Sequence, residues 1–147
     1  MALKSAGSSP AFPNIKYNTY SYIVNHFNIS NSKRLKSTTV LKTRKSLRIV
    51  TALKKYGIIS IFVLNSPLNS RKTITFTTPY YSTSTYYSSI RLVSTPSKAH
   101  YISLSSLKLA AKSIGSSVIF LETSKGIISH SDALRLGVAG KLLCVVL

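Results

Sequence analysis

The sequence predicts an α+β fold in two small lobes: an amino-terminal helix-helix-hairpin lobe and a mostly β carboxyl-terminal lobe with short helices. Three observations carry this expectation. Residues 43–56 place apolar side chains at helical spacing, with Gly57 directly behind them. Residues 58–64 and 72–78 are strand-sized and flank a turn containing Pro67 and Asn69. Beyond residue 90, short apolar runs alternate with turn chemistry and enclose one more helical stretch at 104–113.

Residues 1–16, with Gly7, Pro10, Pro13 and several serines, read as a flexible tail, which leaves lobes at 17–78 and 79–147. Tyr20, Ile23, Val24 and Phe27 follow the i, i+3, i+4, i+7 pattern and predict a short helix over 17–27. Residues 28–36 are polar and turn-like, then basic. In 43–56, Ile49, Val50, Leu53 and Tyr56 share one face, and Arg44, Arg48 and Lys55 cluster on another. Lys54 and Lys55 suit the negative end of the helix dipole. Pro79 opens a polar stretch to Ser89 that holds four tyrosines and reads as a linker or edge strand before a base-stacking platform.

Short strands are expected at 90–93 and 99–103, around a turn at 94–97. Ser103 is placed to cap a helix over 104–113 that buries Leu107, Ala110, Ala111 and Ile114 and ends at Gly115. A strand at 118–121, a turn at 122–126 and a strand starting at Ile127 follow. Ser129 or Ser131 can cap a one-turn helix at 132–136. Gly137 and Gly140 bracket a tight loop before a last strand at 142–146.

The charge balance narrows the function. Twenty Lys and Arg stand against two acids, Glu122 and Asp132, for a formal net charge of +18. Chemistry that needs paired carboxylates, such as glycoside hydrolysis or two-metal phosphoryl transfer, is excluded. A chain this basic repels itself, so a polyanion is the expected partner: nucleic acid first, an anionic membrane surface second. No apolar run approaches the ~20 residues of a bilayer span. Nine of the basic residues lie between Lys33 and Lys55, and the helix there reads as a phosphate-contacting face.

Cys144 is the only cysteine and sits in an apolar run, which reads as a buried thiol with no internal disulfide. His26, His100 and His130 lack ligand-like spacing, so neither metal nor cofactor is expected. No nucleophile–base pair or Gly-rich phosphate loop supports an enzyme. The abundance of Ser, Lys, Ile, Tyr, Asn and Thr fits an AT-rich genome, including those of organelles.

One region is more specific. Residues 118–128 read Val-Ile-Phe-Leu-Glu-Thr-Ser-Lys-Gly-Ile-Ile, and 133–144 read Ala-Leu-Arg-Leu-Gly-Val-Ala-Gly-Lys-Leu-Leu-Cys. This order resembles the carboxyl end of the universal small-subunit ribosomal protein eight family: apolar strand, S-T-S-K-G, apolar pair, short helix with A-R-x-x-G-x-G-G, then a Cys-containing strand. Residues 89–97, Ser-Ile-Arg-Leu-Val-Ser-Thr-Pro-Ser, are similar to the family's S-I-x-x-V-S-R-P-G. Residues 44–58, ending Tyr56-Gly57-Ile58, are similar to its second helix and exit. The resemblance covers 40–147 well and 17–39 weakly.

The resemblance implies a structural component of the small ribosomal subunit that binds and stabilises the central domain of small-subunit rRNA. The implied partners are that rRNA and neighbouring small-subunit proteins, with no membrane and no small-molecule substrate. The alternative is a free-standing RNA-binding translational regulator of the same fold. Divergence and composition suggest a mitochondrial ribosome, with a plastid or bacterial ribosome as the alternative.

Matched onto this sequence, the implied RNA-contacting residues are Thr123, Ser124, Lys125 and Gly126 in one turn, and Ser94, Thr95 and Lys98 in another. Arg44, Lys45 and Arg48 on the basic helix complete the set. Departures are informative. Glu122 replaces the first Ser of S-T-S-K-G and is expected to turn from RNA or pair with a base such as Lys125 or Arg135. The Arg and Gly of S-R-P-G are replaced by Thr95 and Ser97, so Lys98 is expected to compensate. The first helix lacks the family's Arg pair; His26 and Asn28 lie near its place.

Overall fold

The computed structural model describes residues 18–68, 70–81, 84–85 and 87–147. The expected tail at 1–16, together with Asn69 and part of the tyrosine-rich stretch, lies outside the described residues. The fold is of the expected α+β class, with four helices among ten strands in the described residues.

Helix α1 spans Thr19–Ser32, with the Asn18 side chain accepting the Tyr20 N–H at 3.2 Å. It runs past the expected end at residue 27 because its polar last turns are held by distant backbone. Asn28 donates to the Ile90 carbonyl and accepts the Ile90 N–H, both at 2.8 Å. Asn31 donates to the carbonyls of Tyr87 and Ser88 at 2.8 and 2.7 Å. Side chains that look like turn formers are here tertiary ligands of another segment.

Strand β1, Thr38–Leu41, was not expected; it is short and embedded in the basic run, but Thr38 and Val40 point inward and Thr39 outward. Helix α2 spans Arg44–Lys55 and opens on a reciprocal cap: Thr43 Oγ1 accepts the Ser46 N–H at 3.0 Å and Ser46 Oγ accepts the Thr43 N–H at 2.6 Å. Its buried face holds Ile49, Val50, Ala52 and Leu53, as the periodicity requires. Strand β2 is Ile61–Asn65, not 58–64. Ile58 and Ile59 are buried, but their N–H groups bond back to the Leu53 carbonyl, finishing the helix instead of joining a ladder. Strand β3, Thr73–Thr77, lies centrally between β1 and β2 in an antiparallel sheet of order β1-β3-β2.

A small hairpin, β4 at Tyr80–Tyr81 and β5 at Ser84–Thr85, leads to the second sheet. That sheet contains β6 (Ile90–Leu92), β7 (Tyr101–Ile102), β8 (Val118–Thr123), β9 (Gly126–Ser129) and β10 (Gly140–Val146). The order is β6-β10-β8-β9, and β7 also pairs with β10. Helix α3, Leu104–Ser113, is capped by Ser103, and helix α4, His130–Leu136, by Ser129. Of the four residues expected to face the core from α3, only Leu107 is fully buried; Ala110, Ala111 and Ile114 remain half-buried, since a single-sided contact covers one narrow stripe.

The second sheet is covered on both faces. One face sends Phe120, Cys144, Leu143 and Val146 into a core shared with Phe27, Ile49, Leu53, Ile74 and Phe76 of the first half. The other face sends Ile119, Leu121 and Ile128 against Leu107 of α3 and Ala133 of α4. Burial on both sides explains why β8 and β10 read as continuous apolar runs instead of alternating ones. An irregularity in β10 between Leu142 and Cys144 lets the neighbours Leu143 and Cys144 enter the same core. Cys144 is the buried thiol that its apolar run indicates, and burial pushes its pKa up to about 12.

Candidate nucleic-acid interface

Packing the second sheet against α2 brings one wall of that helix to the β8–β9 turn. Between them lies a groove of about 580 Å3, with Leu47, Arg48, Thr51, Ala52 and Lys55 on one wall and residues 123–127 on the other. Arg48, Thr51 and Lys55 are three, four and seven positions apart and so fall on one helical stripe. Arg48 and the whole turn 123–126 are thus united in one site.

The turn is built to be stiff. The Thr123 hydroxyl donates to the Gly126 carbonyl at 3.0 Å and accepts the Lys125 N–H at 3.2 Å. Gly126 takes φ 101°, which a side chain would resist, while Ser124 and Lys125 keep negative φ. This is the signature of a turn closed by a glycine, which leaves Ser124 and Lys125 exposed at the tip. Thr123 therefore shapes the turn, and Ser124 and Lys125 are the groups it offers outward.

Both acids are withdrawn from the groove. Glu122 accepts the Tyr20 hydroxyl at 3.0 Å and faces Lys141 at 3.8 Å. Its partners are therefore neither Lys125 nor Arg135; Lys141 stands opposite it on the neighbouring strand, which the linear sequence does not show. Burial and the Glu122 charge push Tyr20 up to about 12. Asp132 binds Lys55 at 3.0 Å, Arg135 at 3.2 Å and the Tyr56 hydroxyl. The Tyr56 hydrogen bond, with help from Lys55, holds the Asp132 carboxyl below its usual range. Arg48 and Lys125 have no carboxylate partner among the described residues, so their charge faces the groove.

The other sequence-derived candidates lie apart from this groove. Arg44 and Lys45 are exposed in the first turn of α2, where no acid complements the helix dipole. Thr95 and Lys98 are exposed in the β6–β7 connection, joined by reciprocal backbone bonds of 3.0 and 3.2 Å. Ser94 is only 3% exposed, and its Oγ accepts the His100 N–H at 3.0 Å, so it braces that connection from inside. Lys55 and Thr51 were missed as site residues. Lys55 already shared the basic face in the sequence, and extending the stripe from Arg48 reaches both.

Fold and groove define a strongly basic α+β protein with a cationic, hydroxyl-bearing cleft between a helix and a tight turn. Known proteins make the class specific. The family described as Ribosomal protein S8 matches residues 21–147. The chain is 32% identical over 114 residues to small ribosomal subunit protein uS8 of Orientia tsutsugamushi (strain Boryong), covering 77% of this chain and 84% of the relative. It is 31% identical over 120 residues to uS8 of Coxiella burnetii (strain RSA 331 / Henzerling II), covering 80% and 90%. For uS8 of Legionella pneumophila (strain Lens) the values are 32% over 108 residues, 74% and 80%. The chain belongs to the ribosomal protein S8 family and is a small-ribosomal-subunit protein.

Proposed function

We propose that this protein is a non-catalytic component of the small subunit that binds and stabilises the central domain of small-subunit rRNA. The groove between α2 and the β8–β9 turn carries this reading: Arg48 and Lys125 face it without acid partners, beside the exposed Ser124 hydroxyl. The two cations suit phosphate oxygens, and a serine hydroxyl can both donate to and accept from a 2′-OH or a base edge. The rigid turn presents these groups with little ordering cost. Arg44, Lys45, Thr95 and Lys98 extend the phosphate-binding surface beyond the groove, while Ser94, Thr123 and Gly126 hold its turns in shape. Affinity then comes chiefly from phosphate neutralisation and specificity from RNA shape and the turn.

The same reading assigns residues 17–78 to a lobe that supplies α2 and residues 79–147 to a lobe that supplies the turn. Neighbouring small-subunit proteins are its protein partners. The AT-rich composition and the divergence of the first helix support a mitochondrial ribosome. Gradient sedimentation of an organelle lysate, with mass spectrometry of the small-subunit fraction, tests this. Presence there with bound rRNA supports the ribosomal role; presence only in light fractions favours a free-standing RNA-binding regulator.

A further inference from the structure

The chain has two acidic residues, and each receives the phenol of a tyrosine from a different amino-terminal helix. Tyr20 of α1 donates to Glu122 in β8, one residue before the groove turn. Tyr56, the residue that closes α2, donates to Asp132 in α4 and accepts the Ser129 N–H at 3.2 Å. The Tyr56 ring meets Phe120 edge-on at 5.3 Å. One pair grips the base of the turn and the other grips the end of the helix that forms the opposite wall. We propose that Glu122 and Asp132, with Tyr20 and Tyr56, are positioning residues that set the spacing between the two walls of the RNA groove.

The inference deepens the RNA-binding reading and rests on it. A carboxylate beside a polyanion site is repulsive, and both acids here stand outside the groove lining and are paired with a tyrosine and with cations. Each tyrosine supplies a neutral, directional donor that salt does not screen, unlike the accompanying Lys and Arg pairs. The contacts join residues 102 and 76 positions apart, so they order elements that local structure leaves independent.

The test uses the full chain with Tyr20→Phe, Glu122→Gln, Tyr56→Phe and Asp132→Asn. Two RNAs serve as probes: a transcribed central-domain fragment of small-subunit rRNA and a perfectly paired duplex of equal length. All measurements are made far below each variant's melting temperature. Tyr20→Phe and Tyr56→Phe are expected to weaken binding to the fragment about tenfold while leaving duplex binding and the salt slope unchanged, because charge and phosphate contacts are unaltered. Glu122→Gln and Asp132→Asn should lower fragment binding relative to duplex binding as well, with a salt slope no smaller than the parent's, because they release Lys141, Lys55 and Arg135. Within each pair the double variant should lose no more than either single one. Should an acid variant fail to fold, the two Tyr→Phe variants carry the test. Unchanged fragment affinity in both overturns the inference, as does an equal loss on both RNAs or a reduced salt slope. A parent chain that does not distinguish the two RNAs overturns the RNA-binding reading itself, which is a separate failure.

Discussion

Gly140 lies against the backbone of Glu122: a Cβ built on it would stand 2.6 Å from the Glu122 carbonyl oxygen and 2.8 Å from Thr123 Cγ2. Strand β10 thus approaches the base of the groove turn as closely as a glycine allows. The obstacle is backbone, which cannot step aside as a flexible side chain would. Gly140→Ala is expected to destabilise the protein by about 1–3 kcal/mol, read by urea denaturation. It should also weaken RNA binding by displacing Thr123. Stability equal to the parent would show that the two strands part without cost.

Arg44 and Lys45 occupy the positive end of the α2 dipole, with no acid in that turn. Two cations there oppose folding and favour an anionic partner. Replacing each with Glu should stabilise the free protein by about 0.3–1 kcal/mol while reducing RNA affinity. Thermal melts without RNA and filter binding with it should therefore move in opposite directions. A fall in both would assign these residues to structure alone.

Arg48 and Lys125 should each account for about one unit of the slope of log affinity against log salt. Lys55 should account for less, because Asp132 already accepts its ammonium at 3.0 Å. Alanine variants measured across a salt series separate the three. A larger slope change for Lys55→Ala than for the other two would reverse this assignment.

His130 Nδ1 accepts the Ile119 N–H at 3.2 Å, which requires the neutral ring, and burial lowers its pKa below 6.5. Burial lowers His26 as well. Below 6.5 the unfolded chain binds more protons than the folded one, so their contribution is complete above that pH and is lost as pH falls. Denaturant midpoints should therefore drop on acidification from neutrality, and His130→Gln should flatten part of that limb. A parent whose midpoint is level from pH 7 to 5 would exclude it.

The legible parts of this fold are those that follow from neighbours along the chain. The α2 face, the Ser103 cap and the β8–β9 turn each follow from spacing or from a residue type at an element end. The groove was half legible: Arg48, Lys55 and the turn were each visible, but their meeting was not. Thr123 and Ser94 carry hydroxyls that the resemblance offers to RNA, and the fold adds internal bonds from them to Gly126, Lys125 and His100 that the linear order does not show. Asn28 and Asn31 look like the end of a helix until Ile90, Tyr87 and Ser88 come to meet them.

The sequence by itself determined the α+β class, the order of most elements, the net charge from which a polyanionic partner is expected, and the family. Periodicity, end caps and net charge are local or summed properties, so they survive without coordinates. The tertiary structure alone decided which cations face one groove, that both acids are bound to tyrosines, and that strand β1 forms at all. Each of these depends on groups far apart in the chain. Their encounter is set by burying both faces of one sheet, a constraint that no local window contains.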